Sequence, residues 1–428
     1  MSTKNTVLVS MMKNESENVL SMLASVEGLY DTFIIGFDSK ATDGTKDIVL
    51  DYQQSRNRHG IFYEFDWNND FSEARNNYLN LATERMPEKP WLLIMDGDDL
   101  LSPGNPENGI PDGRQEILRV TDVPLDQFPF KAVNFYVYLD PDHNGIPTLF
   151  YPRVHLVRNL PDVRFEFASH NAITVRGDEQ ILLRECVILH HQKPKKRAER
   201  EIQRVEMNIP NLAAQGEDQH LENNASARGL FYLGNTLLDS GDRDGAIKAF
   251  EDYLSASTWH DERYQAYVHL CSAYMIGGEW GKAEETMKKG MLEPGQWARA
   301  EGYMILSDCA LSKGETQEAI HWINTAISCR PMTSGLFLQG HLYTWFPHWR
   351  LAMIYDRIGC YRESLYHAQM TSQWKPDDYV FETIQIQANR IAELEARKIE
   401  VEPYDKVGDT VQLYPVSERS AMERLGVK

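Results

Sequence analysis

WLLIMDGDDLL, residues 91–101, is an apolar run that breaks abruptly into three carboxylates, Asp96, Asp98 and Asp99. Roughly four to six apolar residues bounded by an acidic, glycine-containing turn suit a strand covered on both faces that delivers its acids to a cleft. On extended backbone Asp96 and Asp98 point the same way, and a bend at Gly97 lets both approach one ion. Paired carboxylates at a strand end suit a hard, oxygen-seeking cation such as Mg2+ or Mn2+, which a phosphate-bearing substrate can share. The plainer reading is an acidic turn that caps the next element, because Asp and Gly are common turn formers.

Upstream of this run the same grammar repeats three times. Thr6 to Met12 reads as an apolar strand, followed by Lys13-Asn14-Glu15-Ser16 and a helical pattern through Val19, Leu20, Leu23 and Val26. Thr32 to Phe37 is a second strand that ends in Asp38 and a polar loop to Asp43-Gly44-Thr45, where the next helix begins. Ile61 to Phe65 is a third, leading through Asp66 to Asp70 into a helix from about Ser72. Strands alternating with helices predict a mostly parallel sheet, and in such sheets ligands bind outside the carboxyl ends of the strands. That rule gathers Asn14, Glu15, Asp38, Asp43, Arg75 and Asp96 to Asp99 on one rim. Taken singly, Asp43 reads as a helix cap and Arg75 as a solvated helix residue.

At 428 residues the chain exceeds the usual single-domain size. The net charge of −19 argues against a general polyanion-binding surface, leaving DNA a minor partner. Five scattered cysteines without metal-type spacing read as reduced thiols in a cytoplasmic protein. No apolar run is long enough to predict a membrane span, and the start has no secretory pattern.

Residues 6–101 resemble the nucleotide-sugar half of family-2 glycosyltransferases with the GT-A fold. The resemblance is carried by KNESENVLSMLASVEGLYDTFIIGFDSKATDGTKDI, by FSEARNNYLNLA and by MDGDD at the place of the family's Asp-x-Asp motif. It implies that Asn14, Glu15, Asp38 and Asp43 line the nucleotide pocket and that Arg75 approaches the donor. It also implies that Asp96 and Asp98 hold Mn2+ or Mg2+ on the diphosphate of a nucleotide-sugar, with a UDP-sugar expected. The loop that usually reads Gly-Ser-Thr-Asp is Ser39-Lys40-Ala41-Thr42-Asp43 here.

Beyond residue 101 an irregular crossing leads to a hairpin of two strands, 132–139 and 149–157, then VRFEFASHNAITV and ILLRECVILHH. In related transferases an Arg-containing strand, a His-Glu pair and a later His sit where acceptor meets donor. This chain has PRVHLVRN, then His170-Asn171, then His190-His191. An amide at position 171 cannot take the acceptor's proton. Glu166 and His170 are therefore the candidate catalytic bases for an inverting transfer. His190 or His191 can complete the metal sphere, since imidazole suits Mn2+; otherwise the pair is simple surface polarity. The basic run at 193–201 is a solvated helix start or a lid over the diphosphate.

From about Ala225 the period changes. Gly241, Gly278, Gly314 and Gly359 each lie five residues before a small residue, namely Ala246, Ala283, Ala319 and Ser364, and between two helical patterns. These resemble tetratricopeptide repeats, which stack helix pairs into a binding surface. An insertion at 332–347 interrupts the period before the fourth unit. The expected plan is an α/β GT-A domain over 1–205, a linker over 206–224, an all-α repeat array over 225–400 and a tail over 401–428. The expected function is a metal-dependent glycosyltransferase whose acceptor, a peptide or protein, a glycan or a modified nucleobase, is engaged partly by the repeats. Self-association of the repeats as a homodimer is the other reading of that half. A non-catalytic nucleotide-binding scaffold is the alternative for the whole, motivated by Asn171.

Overall fold

The computed structural model describes residues 4–104, 112–139, 149–167, 171–175, 177–190, 212, 225–331 and 336–396. The chain divides into two compact units, one built on a sheet and one on helices.

In the first unit, strands β1 (Thr6–Met12), β2 (Thr32–Asp38), β3 (His59–Phe65) and β4 (Trp91–Ile94) alternate with helices α1 (Val19–Ser25), α2 (Thr45–Ser55) and α3 (Phe71–Arg85). Then come β5 (Asp99–Leu101), α4 (Gly113–Thr121), β6 (Ala132–Leu139), β7 (Leu149–Arg158), β8 (Phe165–Glu166), β9 (Ala172–Ile173) and β10 (Gln180–His190). Eight strands form one sheet in the order β3-β2-β1-β4-β7-β6-β10-β5, and β8 and β9 pair separately. The first four strands are mutually parallel, as the repeated strand-turn-helix pattern predicts.

Alternate residues of β1 feed two cores, Leu8 and Met12 on one face and Val7 and Val9 on the other. Both faces being covered explains why these strands are continuously apolar rather than alternating. The run at 91–101 makes the strand and acidic turn it reads as, and adds a second short strand that the reading did not name. Its apolar part ends at Ile94, the acids form a turn, and residues 99–101 leave as β5, which pairs antiparallel with β10 at the far edge of the sheet.

The second unit packs helices in pairs: α5 (Ala225–Ser240) with α6 (Arg243–Ala256), α7 (His260–Ile276) with α8 (Trp280–Met291), α9 (Ala300–Ser312) with α10 (Thr316–Ile327), and α11 (Phe346–Arg357) with α12 (Tyr361–Ser372). Helix α13 (Asp378–Ala396) packs on α12. The four turn glycines all sit at positive φ, from 72° at Gly278 to 86° at Gly241. The small residue five positions later, Ala246, Ala283, Ala319 or Ser364, is fully buried each time. Ser364 satisfies its hydroxyl by donating to the Ala352 carbonyl at 2.9 Å, so a polar side chain serves where the other units use a methyl group. No helix among the described residues is long and apolar enough to cross a membrane.

At Gly314 φ is 78°, and a Cβ placed there meets nothing within 4 Å. Any cost of a side chain is therefore backbone strain alone. Gly314→Ala is expected to destabilise the helical unit by about 1 kcal/mol, with Asn tolerated better than Ala. Urea titration followed by circular dichroism reads this directly, and equal midpoints for Ala and Gly would count against it.

Candidate active site

The carboxyl ends of β1, β2, β3 and β4 are sewn together by their own polar side chains. Asn14, at φ 55°, accepts from the Thr42 N–H at 2.8 Å through Oδ1. The Glu15 N–H donates to Thr45 Oγ1 at 2.8 Å, and the Ser16 N–H donates to Asp43 Oδ2 at 2.9 Å. Asp43 Oδ1 in turn accepts from the Thr45 N–H at 3.1 Å, so Asp43 latches the loop after β2 to the loop after β1. Lys13 Nζ lies 2.8 Å from Asp38 Oδ2, and the Lys40 N–H donates to Asp38 Oδ1 at 2.9 Å. Ser39 donates to the Asp66 carboxylate, bringing in the end of β3. Glu15 is buried, its carboxylate accepting from the Asn18 amide at 2.7 Å. The nucleotide-pocket candidates Asn14, Glu15, Asp38 and Asp43 thus stand on one continuous rim.

The end of β4 meets that rim through Gly97. A Cβ at Gly97 would come within 2.7 Å of Glu15 Cγ and 2.9 Å of its Cβ, so only a bare backbone fits between the acidic turn and Glu15. The turn closes on itself: the Asp99 N–H donates to the Asp96 carbonyl at 3.1 Å, and the Asp96 N–H donates to Asp99 Oδ2 at 3.0 Å.

Two electrostatic neighbourhoods then separate the acids. Arg75, buried at the start of α3, donates one Nη to both Asp96 oxygens at 2.8 and 2.9 Å. Arg153 from β7 donates to Asp96 Oδ2 as well. Burial opposes the charged form of Asp96, but the two guanidinium groups outweigh it and hold its carboxyl far below the usual range. On the other side, Asp98, Asp99 and His190 each offer a ligand atom, all within 4.8 Å of one another. His190 Nδ1 lies 3.1 Å from Asp99 Oδ1 and its Nε2 lies 3.8 Å from Asp98 Oδ2. A neutral His190 that donates its Nδ1–H to Asp99 turns the Nε2 lone pair towards Asp98. Carboxylate-oriented imidazole beside a second carboxylate is a donor set that suits Mn2+. Asp96, expected beside Asp98 at a shared ion, stands outside this three-residue cluster and pairs with Arg75 and Arg153.

Glu166 lies on β8, which is bolted to α3. The Asn76 side chain donates to the Phe165 carbonyl and accepts from the Phe165 N–H, both at 2.9 Å, and Ser72 donates to the Phe167 carbonyl at 2.5 Å. The Arg75 guanidinium sits 5.3 Å over the Phe165 ring. Glu166 itself is exposed. His170, His191 and the basic run at 193–201 lie outside the described residues.

The sequence reading placed the segment PRVHLVRN where acceptor meets donor but singled out neither of its two residues that reach the acidic turn, Arg153 and His155. Strands β4 and β7 pair antiparallel with Leu93 opposite Leu156, and the same register carried three residues on sets Asp96 opposite Arg153. His155 is fully buried, stacks on Phe135 at 5.5 Å and donates from Nδ1 to the Ile94 carbonyl at 2.9 Å, where β4 ends. Burial and the neighbouring Arg153 charge push its pKa down to about 4, so it is neutral when the acids beside it are charged.

With this geometry in place, residues 8–111 match the sequence pattern of Glycosyl transferase family 2. Residues 8–111 of the first unit thus carry a family-2 glycosyltransferase pattern on a GT-A type sheet, and tetratricopeptide-like helix pairs make up the second unit. The SPbeta prophage-derived glycosyltransferase SunS of Bacillus subtilis (strain 168) is 37% identical over 93 residues, 22% of this chain and 19% of the relative. The chain therefore spans about a fifth of the length of the curated relatives it matches. Among solved structures, S. aureus TarS 1-349 aligns at 14% identity over 67% of this chain and 91% of that one, with a TM-score of 0.34. A tetratricopeptide repeat protein from Parabacteroides merdae aligns at 15% identity over 49% and 80%, also with a TM-score of 0.34.

Two consequences can be measured. Gly97→Ala forces Glu15 or the turn to move, an overpacking expected to cost about 1–3 kcal/mol in the first unit, read as a lower thermal midpoint than that of a surface Gly→Ala control. Asp43 has its pKa lowered to about 2: burial raises it, and hydrogen bonds from Thr45 and Ser16 more than compensate. Its latch is at full strength above about pH 4, the unfolded value, and is lost as pH falls towards the folded value. Asp43→Asn is expected to flatten the acid side of the stability profile over that interval.

Proposed function

We propose that this protein is a metal-dependent glycosyltransferase that moves a sugar from a nucleotide-sugar, a UDP-sugar first among them, to an acceptor. The observation that carries the reading is the juxtaposition on one strand-end rim of the Asp98–Asp99–His190 donor set and the Asp96–Arg75–Arg153 cluster. Mn2+ or Mg2+ held by Asp98 and His190 supplies, when bound, positive charge for a leaving diphosphate. Asp99 orients His190 from behind. Asp96 keeps the guanidinium groups of Arg75 and Arg153 beside the same place, ready to take diphosphate oxygens by bidentate pairing. Asn14, Glu15, Asp38 and Asp43 form the nucleotide side of the rim. Glu166 takes the proton of the acceptor hydroxyl in an inverting transfer, on a short strand whose position is fixed by Asn76 and Ser72. The acceptor, a peptide or protein first and a glycan second, is engaged partly by the helical repeats.

A nucleotide-binding scaffold without chemistry is the second reading. It is favoured by Asn171, an amide where the transfer calls for a carboxylate, whose Nδ2 has no hydrogen-bond partner among the described residues.

Isothermal calorimetry with UDP in the presence and absence of Mn2+ tests the first reading. Metal-dependent binding is expected for the wild type, with at least tenfold loss in Asp98→Asn and His190→Gln; UDP affinity indifferent to metal would overturn the assignment. Hydrolysis of a panel of UDP-sugars separates enzyme from scaffold. Undiminished sugar transfer by Glu166→Gln to a true acceptor would remove Glu166 as the base.

A further inference from the structure

Strands β4 and β7 run antiparallel, so the register that sets Asp96 opposite Arg153 at one end sets Trp91 opposite Arg158 at the other. A cavity of about 420 Å3 opens at that far end, within the range of roughly 300–1,000 Å3 usual for small-molecule sites. Its walls are stiff. Pro87, Pro90 and Pro124 line it, each with φ fixed by its ring. The Asn159 amide donates to the Ala82, Met86 and Lys89 carbonyls at 3.0–3.2 Å, and the Asn5 amide donates to the Thr121 carbonyl at 3.0 Å. The ends of α3 and α4 are thus tied to the sheet, and a ligand entering between them has little backbone to order.

The cavity holds one charge that the fold leaves unanswered. Arg158 packs its guanidinium 5.5 Å over the ring of Trp91, which is fully buried. Stacking uses the flat face of the group and leaves its N–H donors, which lie in its plane, for another partner. Arg58, Arg75 and Arg153 of the same unit each face a carboxylate. Among the described residues Arg158 makes no ion pair, and burial alone shifts its pKa, downward. A half-buried guanidinium without a counter-charge favours any anion that can reach it.

Glu88 and Asp122 also line the cavity, both exposed and neither paired with Arg158. Each repels every negative charge that a ligand brings, whereas the single guanidinium offsets one. That balance favours a monoanion over phosphate or a diphosphate. Leu125 and Leu160, with the three prolines, favour an apolar body behind the charge.

We infer that this cavity is a second ligand site, one that takes a small apolar monocarboxylate whose two oxygens pair with the Arg158 guanidinium. It lies at the amino ends of β1 and β4, whereas the proposed sugar-transfer site lies at their carboxyl ends. The inference therefore stands whether or not the first unit transfers sugar.

The test is calorimetric titration of the full-length protein with phenylacetate. Saturable binding is expected, with affinity at least tenfold lower for neutral phenylacetamide and for inorganic phosphate. Arg158→Gln should lose at least tenfold. Leu125→Trp should lose as much with Arg158 intact, because it fills the cavity from a short 3-10 turn at a position 42% exposed, where the fold tolerates the change. Binding should also persist in saturating UDP and Mn2+. Equal affinity for the acid and its amide, undiminished binding in either variant, or displacement of phenylacetate by UDP would each overturn the inference. So would the absence of saturation below about 10 mM with both phenylacetate and hexanoate.

Discussion

The two guanidinium groups that converge on Asp96 decide how the acidic turn can be used. Asp96 keeps 23% of its side chain accessible and Arg75 only 7%, so most of the pair is out of water. Breaking a buried ion pair by removing one partner costs about 3–5 kcal/mol, because the survivor is left uncompensated. A carboxylate fixed in that way is not free to swing towards a cation. The acids beyond Gly97, Asp98 and Asp99, lie instead beside His190. Asp98 and Asp99 meet His190 only because β5 reverses direction and pairs with β10, His190 opposite Asp99. One ion pair and one short strand thus sort three adjacent carboxylates into a cationic half and an anionic half of the same cleft.

That sorting has a chemical logic. Under the proposed transfer, a diphosphate leaving group would present several oxygens, and a divalent ion on one side with guanidinium groups on the other would match them without any one contact bearing the full charge. The neutral His155 beneath the turn fits the same arrangement. A charged imidazole there would compete with Arg153 for the acids, whereas a neutral one caps the end of β4 and leaves the field to the arginines.

The first half of the site was legible because its residues follow their strands directly. Asn14, Glu15, Asp38 and Asp43 each stand within a few residues of an apolar run, and parallel topology does the rest. Arg153 was legible only as part of an Arg-containing strand, and His190 only as one of two adjacent histidines that can complete a metal sphere. Fifty-seven residues separate Arg153 from Asp96 and ninety-one separate His190 from Asp99. What joins them is antiparallel register, and register is set by pairing partners that a single sequence does not name. The split of residues 91–101 was hidden for a related reason. Leu100 and Leu101 are too short an apolar run after the acids for periodicity to show a strand, so the sequence reads a strand and a turn where the backbone makes a strand, a turn and a second strand. Asp99 looked like a cap and proves to be one for the Asp96 N–H, while also turning His190.

In the helical half, the glycine and small-residue spacing carried nearly everything, since a turn at positive φ and a helix crossing too close for a large side chain each leave a mark on composition. The insertion left no such mark. LFLQGHLYTWF is apolar enough to be a helix face, a binding loop or an interface, and nothing local decides among them. The deciding residues are Gln265, Arg299 and Glu301, polar groups buried on helices whose pattern gives no reason for them. Arg299 and Glu301 pair with each other at 3.5 Å, and the three side chains find their further partners in a carbonyl, an N–H and a hydroxyl on the inserted segment.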